Sequence, residues 1–204
     1  MPESVRVYVD YLCPYAWRGA EVADAVSRAR EVVFEWQHFS LLQAKRPGNG
    51  WQLWNERLDP DDEYGSSGLL PFLASCAVRR QGAEIHGSFL LALLRARHRD
   101  HRPFTRSTIF EVGEEVGLHM PCFESDLADP ECRTHLAHEH YRAVAMDVFG
   151  TPTFQFATGH LAYLRLRELP SDNDEALRLF DDYRRLLESF PYLETVRRPR
   201  PKGN

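Results

Sequence analysis

The N-terminal part of the chain changes its apolar period twice, and this limits the folds that it can adopt. Residues 4–10 carry valine at every second position, as a half-buried strand does. Residues 14–30 follow the spacing of an amphipathic helix, and residues 31–39 return to strand character. Two strands joined by one helix form a βαβ unit with a right-handed crossover. The sequence therefore predicts an α/β protein.

The rest of the chain is a block of helices followed by two strands and a last helix. Residues 43–50 break the periodicity and indicate a loop. The predicted helices of the block are 69–80, 83–98, 105–116 and 131–149. Breaks between them are indicated by Pro103, Gly117, Pro121 and Pro130. Strands are predicted at 153–157 and 161–166 around a hairpin signal at 158–160, and a helix at 172–190. The order is βαβ, helices, ββα.

Cys13 stands where the first predicted strand gives way to the first helix. A helix start exposes unpaired backbone N–H groups and the positive end of the helix dipole, and both favour a thiolate over a thiol. Pro14 suits the first helical position, because its φ is preset and it has no N–H to leave unpaired. Cys13 is therefore a candidate nucleophile. The alternative is a buried cysteine that acts as a small hydrophobe.

A second motif, Gly150-Thr151-Pro152, opens a later strand, where proline is tolerated only at the first residue, at a bulge or on an edge. Together with the run Asp10-Tyr11-Leu12-Cys13-Pro14-Tyr15-Ala16-Trp17, it resembles the thioredoxin superfamily. Within that superfamily, the run is similar to the DsbA-like branch, which includes kappa-class glutathione transferases and 2-hydroxychromene-2-carboxylate isomerases. The resemblance implies an α/β, thioredoxin-like fold with an all-helical insertion between the βαβ and ββα halves.

The resemblance also implies a division of the chain and a site. Residues 1–62 and 150–192 would form the thioredoxin-like domain, residues 63–149 the helical insertion, and residues 193–204 a basic, proline-rich tail. Cys13 would be the catalytic residue, beside a cis peptide bond before Pro152. The other residues of the implied active-site motif are Pro14, Tyr15, Ala16 and Trp17. The residues expected to bind cosubstrate or substrate are Thr151, Pro152, Tyr11, Trp51 and Trp54; for the two tryptophans, packing between the subdomains is the alternative.

One departure from the family pattern bears on the chemistry. DsbA-like oxidases carry Cys-x-x-Cys, but Ala16 stands where the second cysteine would be. The isomerases and kappa transferases typically have serine in place of Cys13. A mixed disulfide is released by attack of a second thiolate, so here that thiolate must come from elsewhere. Cys122, after Pro121, is the best internal candidate.

We therefore expect no bound cofactor and a low-molecular-weight thiol as cosubstrate, of the glutathione, bacillithiol or mycothiol kind. No metal site is expected, because Cys132, His135, His138 and His140 do not match the spacing of metal-binding helices. The leading interpretation is a thiol–disulfide oxidoreductase or thiol-dependent transferase that acts through Cys13. The alternatives are a thiol-dependent isomerase of an electrophilic aromatic substrate, and a non-catalytic binding module that has lost the dithiol.

Composition limits the partners and the compartment. The net charge of −5 argues against nucleic-acid binding, which needs a basic surface. No apolar run approaches the roughly 18–20 residues that span a bilayer, so no membrane association is expected. The N-terminus has no signal region and points to the cytoplasm, where four cysteines without paired spacing would be free thiols. A homodimer is compatible with the sequence.

Overall fold

The computed structural model describes residues 3–46, 50–58 and 68–198. Four strands lie in these ranges: β1 (Glu3–Val9), β2 (Val32–His38), β3 (Thr153–Gln155) and β4 (Leu161–Tyr163). The described α-helices are α1 (Pro14–Ala29), α2 (Leu41–Ala44), α3 (Leu69–Arg79), α4 (Ala83–His98), α5 (Arg106–Glu115), α6 (Met120–Leu127), α7 (Glu131–Ala145) and α8 (Asn173–Ser189). A 3-10 turn covers Leu53–Asn55. The βαβ, helices, ββα order predicted from the sequence is present.

The strands form one mixed sheet in the order β2-β1-β3-β4. β1 and β2 are parallel, whereas β3 is antiparallel to both β1 and β4. Val7 is paired with Trp36 on one side and with Phe154 on the other, so β1 is a central strand. The C-terminal end of β1, where Cys13 follows, therefore lies beside the start of β3, where Thr151 precedes the strand.

One face of β1 is buried at its three valines, and the other is buried near the C-terminal end of the strand. The valines at positions 5, 7 and 9 belong to the main core, to which α1, α3, α4 and α8 contribute. Tyr8 points to the opposite face and packs with Phe39, Ala143 and Val148. The insertion helices are thus part of the same structure as the sheet: α3 and α4 share its main core, and α7 packs against β2.

Several elements differ from the sequence prediction. The sequence does not predict helix α6, because prolines at 121 and 130 indicate breaks. In the structure Pro121 lies in the first turn of α6, where proline is tolerated. Helix α7 ends at Ala145 instead of 149, because Asp147 takes a left-handed φ of 60° and Val148 N–H returns to Ala143 O. Strands β3 and β4 are shorter than predicted, α2 overlaps the start of the predicted loop at 43–50, and the 3-10 turn follows that loop.

The division into domains stays a prediction. The predicted boundary between residues 62 and 63 lies outside the described residues, as does the basic tail from residue 199 onward. Among the described helices, none is both long enough and apolar enough to cross a membrane.

Candidate active site

Cys13 is the N-cap residue of α1. Its backbone is extended, with φ −93° and ψ 114°, and Pro14 follows at the start of the helix. Its carbonyl oxygen accepts hydrogen bonds from the N–H groups of Ala16 at 3.1 Å and Trp17 at 3.4 Å. The side chain is 6% exposed. The thiol therefore lies at the positive end of a sixteen-residue helix dipole, close to the surface.

The Thr151-Pro152 segment lies directly beside this thiol. The peptide bond between the two residues is cis, the geometry that the family resemblance implies. Cys13 Sγ donates a hydrogen bond to the carbonyl oxygen of Thr151, with the two atoms 3.3 Å apart. Two motifs separated by more than a hundred residues in sequence thus meet at one point.

Pro152 is held between a strand and α1. Its carbonyl oxygen accepts the N–H of Leu164 at 3.0 Å, which extends the pairing of β3 with β4 by one bond. On the other side lies Gly19 of α1, which the sequence prediction did not single out. A Cβ atom at Gly19 would lie 2.4 Å from Pro152 Cγ, so a residue without a side chain is needed at this contact. Glycine inside a predicted amphipathic helix was the signal that could have identified it.

Asp10 is a second residue of the site that the sequence prediction missed. Its side chain is buried, one carboxylate oxygen accepting Leu12 N–H at 2.8 Å and the other accepting Leu41 N–H at 2.7 Å. Its carbonyl oxygen accepts Cys13 N–H at 3.1 Å. Burial raises the pKa of Asp10 to about 6, although the two backbone N–H groups favour the carboxylate. Asp10 thus fixes the turn that carries Cys13 and ties it to the start of α2. An acidic residue that ends an apolar strand was the available signal.

The remaining residues of the motif differ in exposure. Pro14 is exposed and Ala16 is fully buried. Tyr15 is half-buried, and its hydroxyl accepts a hydrogen bond from Arg165, whose guanidinium stacks on the ring 4.1 Å from its centroid. Trp17 stacks on His98 and donates its indole N–H to Glu21 at 2.8 Å. Tyr15 is therefore at the accessible edge of the site, whereas Trp17 connects α1 to α4.

The structure corrects the expectation that Tyr11 contacts substrate. Its side chain is 0% exposed and packs edge-on against Phe72 of α3 and against Phe104. The alternation of β1 ends before this position, so the chain turns and the ring enters the core between the sheet and the insertion. Tyr11 is therefore a core residue that packs next to the site.

Trp51 and Trp54, which were expected to line the pocket, contact other parts of the chain. Trp54 is buried and packs against His140 and Tyr141 of α7. This is the packing role considered as the alternative for it. Trp51 is half-buried, with the guanidinium of Arg46 4.7 Å from its ring centroid and its indole N–H donated to Glu56. These contacts place both tryptophans in the segment that joins β2 to the insertion.

The other three cysteines lie in the helical insertion. Cys76 of α3 and Cys132 of α7 are buried, and the two thiols interact with each other, which raises the pKa of Cys76. Cys122 is exposed in the first turn of α6, which packs mainly against α3 and α5. The structure thus does not bring Cys122, the internal candidate for a resolving thiol, next to Cys13.

A buried polar network lies beneath the site, between β2 and the insertion. His38 Nδ1 lies 2.8 Å from Glu139 Oε2, His38 Nε2 lies 2.9 Å from Ser75 Oγ, and Ser75 Oγ lies 2.7 Å from His86 Nε2. Arg79 completes the set by pairing with Glu139. Burial lowers the pKa of His38 and lowers that of His86 to about 2. Burial alone would raise the pKa of Glu139, but His38 and Arg79 outweigh it and bring the pKa to about 2.

Comparisons with known proteins establish the fold. The profile of the DSBA-like thioredoxin domain matches residues 4–65. No curated protein sequence matches the chain. A structure of 2-hydroxychromene-2-carboxylate isomerase superimposes with a TM-score of 0.62 at 17% identity, covering 94% of this chain and 100% of that one.

Two thiol–disulfide proteins are similar in structure as well. The cytosolic disulfide reductase DsbM from Pseudomonas aeruginosa, in a structure with GSH, gives a TM-score of 0.58 at 20% identity, covering 93% of this chain and 100% of that one. The thiol-disulfide exchange protein α-DsbA2 from Wolbachia pipientis gives 0.57 at 15% identity, covering 89% and 81%. The chain therefore has the DSBA-like thioredoxin fold with a helical insertion, and the predicted fold class is confirmed.

Proposed function

We propose that this protein is an enzyme that exchanges thiols and disulfides through Cys13 alone, with a small thiol from solution as the second thiol. The observation that carries the proposal is the position of Cys13 Sγ, 3.3 Å from Thr151 O at the start of α1, with Ala16 one helical turn later. The position of Cys13 at the start of α1 suits it to form a mixed disulfide. Ala16, in place of a second cysteine, leaves that mixed disulfide without a neighbouring thiol to resolve it.

The exchange then takes two steps. In the first, the Cys13 thiolate attacks one sulfur of a disulfide R–S–S–R, forms the mixed disulfide Cys13–S–S–R and releases RS⁻. In the second, a thiolate R′S⁻ attacks the sulfur of R, re-forms the Cys13 thiolate and releases R–S–S–R′. Each step forms one S–S bond and breaks one, so the protein returns to its starting state.

The external thiol is supported by the positions of the other cysteines. Cys76 and Cys132 are buried with each other between α3 and α7, and Cys122 is on α6. Pro14, next to Cys13, is exposed, and we expect a low-molecular-weight thiol to approach Cys13 from this edge. The cytoplasm suits such an enzyme, because a reducing compartment supplies the small thiol and keeps the four cysteines free.

The likeness to DsbM supports the same function, since that protein is described as a cytosolic disulfide reductase and its structure holds GSH. The likeness to 2-hydroxychromene-2-carboxylate isomerase favours a second candidate, in which a thiol adds to a carbon of an aromatic electrophile. A site with one thiol and no resolving cysteine serves either reaction. Turnover of a small disulfide in the presence of free thiol would support thiol–disulfide exchange. Thiol-dependent conversion of an aromatic electrophile, without disulfide turnover, would support the second candidate.

The experiment that tests the proposal replaces Ala16 by cysteine. Its N–H already bonds to the carbonyl of Cys13 at 3.1 Å, so a thiol there is one turn away from Cys13. After treatment with glutathione disulfide and removal of free thiol, the wild-type adduct on Cys13 should persist. In Ala16→Cys it should be replaced by an internal disulfide, detected by peptide mapping.

Ala20→Cys is the matched control, because Ala20 is also buried on α1 but lies a further turn away from Cys13. Its adduct should be as long-lived as that of the wild type. An Ala16→Cys protein that keeps the adduct as long as the wild type, with no bridge to Cys13, would contradict the proposed site.

A further inference from the structure

Two arginines form a positively charged edge beside Cys13. Arg165 follows Leu164, whose N–H bonds to the carbonyl of Pro152 at 3.0 Å, so the strand extension carries Arg165 past the Thr151-Pro152 segment. Its guanidinium lies over the Tyr15 ring, 4.1 Å from the centroid, and donates to the Tyr15 hydroxyl. The hydrogen bond to Tyr15 raises the pKa of Arg165, with smaller contributions in the same direction from Tyr163 and Cys13.

Arg18 lies near the same ring. Its guanidinium carbon is 5.6 Å from the Tyr15 centroid and 5.8 Å from that of Trp17. One of its N–H groups donates to the carbonyl of Leu166 at 3.0 Å, which fixes the guanidinium beside the segment that carries Arg165. Tyr15 thus lies near two guanidinium groups, one from α1 and one from the segment after β4.

Neither arginine forms an ion pair with a carboxylate among the described residues. Two other arginines do: Arg95 of α4 holds Glu21 and Asp24, and Arg30, just after α1, holds Asp181 of α8. A guanidinium has five N–H donors, and those of Arg18 and Arg165 are only partly used by a carbonyl and a hydroxyl. The remaining donors are available to an anion that reaches Cys13.

We infer that Arg165 and Arg18 form a binding site for a carboxylate of the small thiol or disulfide that reacts with Cys13. This inference rests on the proposed function and adds the substrate class to it. A planar guanidinium recognises a carboxylate through paired N–H donors, and Tyr15 holds Arg165 in place for this contact. A carboxylate-bearing thiol of the glutathione or bacillithiol kind fits this edge. A mycothiol-like thiol, which has no carboxylate, makes no use of it.

The test compares two disulfides that differ only in charge, 3,3′-dithiodipropionate and its neutral diamide. The rate at which each modifies Cys13 is measured by peptide mass spectrometry at equal pH and ionic strength. The ratio of the two rates cancels any change in the reactivity of the Cys13 thiolate itself. In wild type the ratio should favour the carboxylate.

Arg165→Gln and Arg18→Gln should each lower this ratio about threefold, the size expected for one solvent-exposed ion pair. Arg165→Lys keeps the charge but loses the paired donors and the stacking on Tyr15, so its ratio should lie between those of Arg165→Gln and the wild type. Arg185→Gln is the control: it removes the same charge from an exposed position on α8, where Arg185 pairs with Asp182. Its ratio should equal that of the wild type.

An unchanged ratio in both Arg165→Gln and Arg18→Gln would overturn the carboxylate site. Modification of Cys13 by the neutral diamide would still be observed in that case, so the proposed function would stand. A fall of the same size in Arg185→Gln would also overturn the inference, because it would show a general effect of net charge. Absence of modification at Cys13 by either reagent would overturn the proposed function and the inference with it.

Discussion

Single residues decide how close the reactive thiol comes to its partner segment. Cys13 Sγ reaches Thr151 O because Pro152 packs onto α1 at a position with no side chain, Gly19. The sequence identified Cys13 and Pro152, because both belong to short motifs with a local physical meaning. Gly19 and Asp10 were missed, since their roles depend on contacts between segments that are far apart in sequence.

Replacing Gly19 by alanine should therefore destabilise the protein. The new methyl group would lie 2.4 Å from Pro152 Cγ, and neither the ring nor the helix can move away freely. We expect the free energy of unfolding to fall by roughly 1–3 kcal/mol, the usual cost of overpacking a core. Urea denaturation followed by circular dichroism measures the change.

Gly87→Ala is the matched control, in the middle of α4. Its Cβ would meet only Trp36 Nε1 at 3.5 Å, an ordinary contact. Because alanine is a better helix residue than glycine, this variant should gain about 0.5–1 kcal/mol. Equal effects of the two substitutions would mean that the contact between α1 and Pro152 is looser than described.

At the scale of elements, the insertion is joined to the sheet by buried polar groups as well as by apolar packing. His38 of β2 connects to Ser75 of α3, and through it to His86 of α4, while Glu139 of α7 binds His38 from the other side. Because these groups are buried, each must keep its partner and its protonation state for the helices to stay docked.

This network predicts a loss of stability in acid. The pKa of His86 is lowered from 6.5 to about 2. Between these pH values His86 is protonated in the unfolded chain and neutral in the folded chain. Its contribution to stability is complete above pH 6.5 and is lost as the pH falls below that value, by up to roughly 1.4 kcal/mol per pH unit. The pKa of Glu139 is lowered from 4.5 to about 2, so a second loss begins below pH 4.5.

Asp10 acts in the opposite direction. Its pKa is raised from 3.8 to about 6, so its contribution is complete below pH 3.8 and is lost as the pH rises through 6. It offsets part of the His86 effect between pH 6 and pH 4. Urea midpoints measured from pH 7.5 to pH 4 should show a fall in stability that is smaller in His86→Gln than in wild type.

His135→Gln is the control for this series, because His135 is exposed on α7 and should not alter the pH dependence. A wild-type midpoint that stays constant down to pH 4, or a His86→Gln profile with the wild-type slope, would contradict the assignment of buried, neutral histidines.

The elements also show what can be predicted from sequence. Long amphipathic helices such as α4 were predicted with their bounds, because apolar spacing over many residues is a strong signal. Helix α6 was missed, since a proline near a helix start looks the same in sequence as a proline that ends a helix. The burial of Tyr11 and Trp54 could not be predicted, because it is set by which insertion helix packs above each ring.

For the molecule as a whole, the fold brings two halves of a sheet together and packs helices against them. The ends of β1 and the beginning of β3 meet at Cys13, and the segment after β4 brings Arg165 to the same place. The chain thus presents one thiol, a backbone carbonyl beside it and two guanidinium groups at a single edge. This arrangement suits exchange with a small, anionic thiol.

The most direct test of this account is the rate at which the protein, supplied with reduced glutathione, reduces 2-hydroxyethyl disulfide. Wild type should turn over this disulfide, and Cys13→Ser should fall to the background rate. Cys122→Ser, which removes the exposed thiol on α6, should keep the wild-type rate. Full activity in Cys13→Ser, or its loss in Cys122→Ser, would contradict the claim that Cys13 alone performs the exchange.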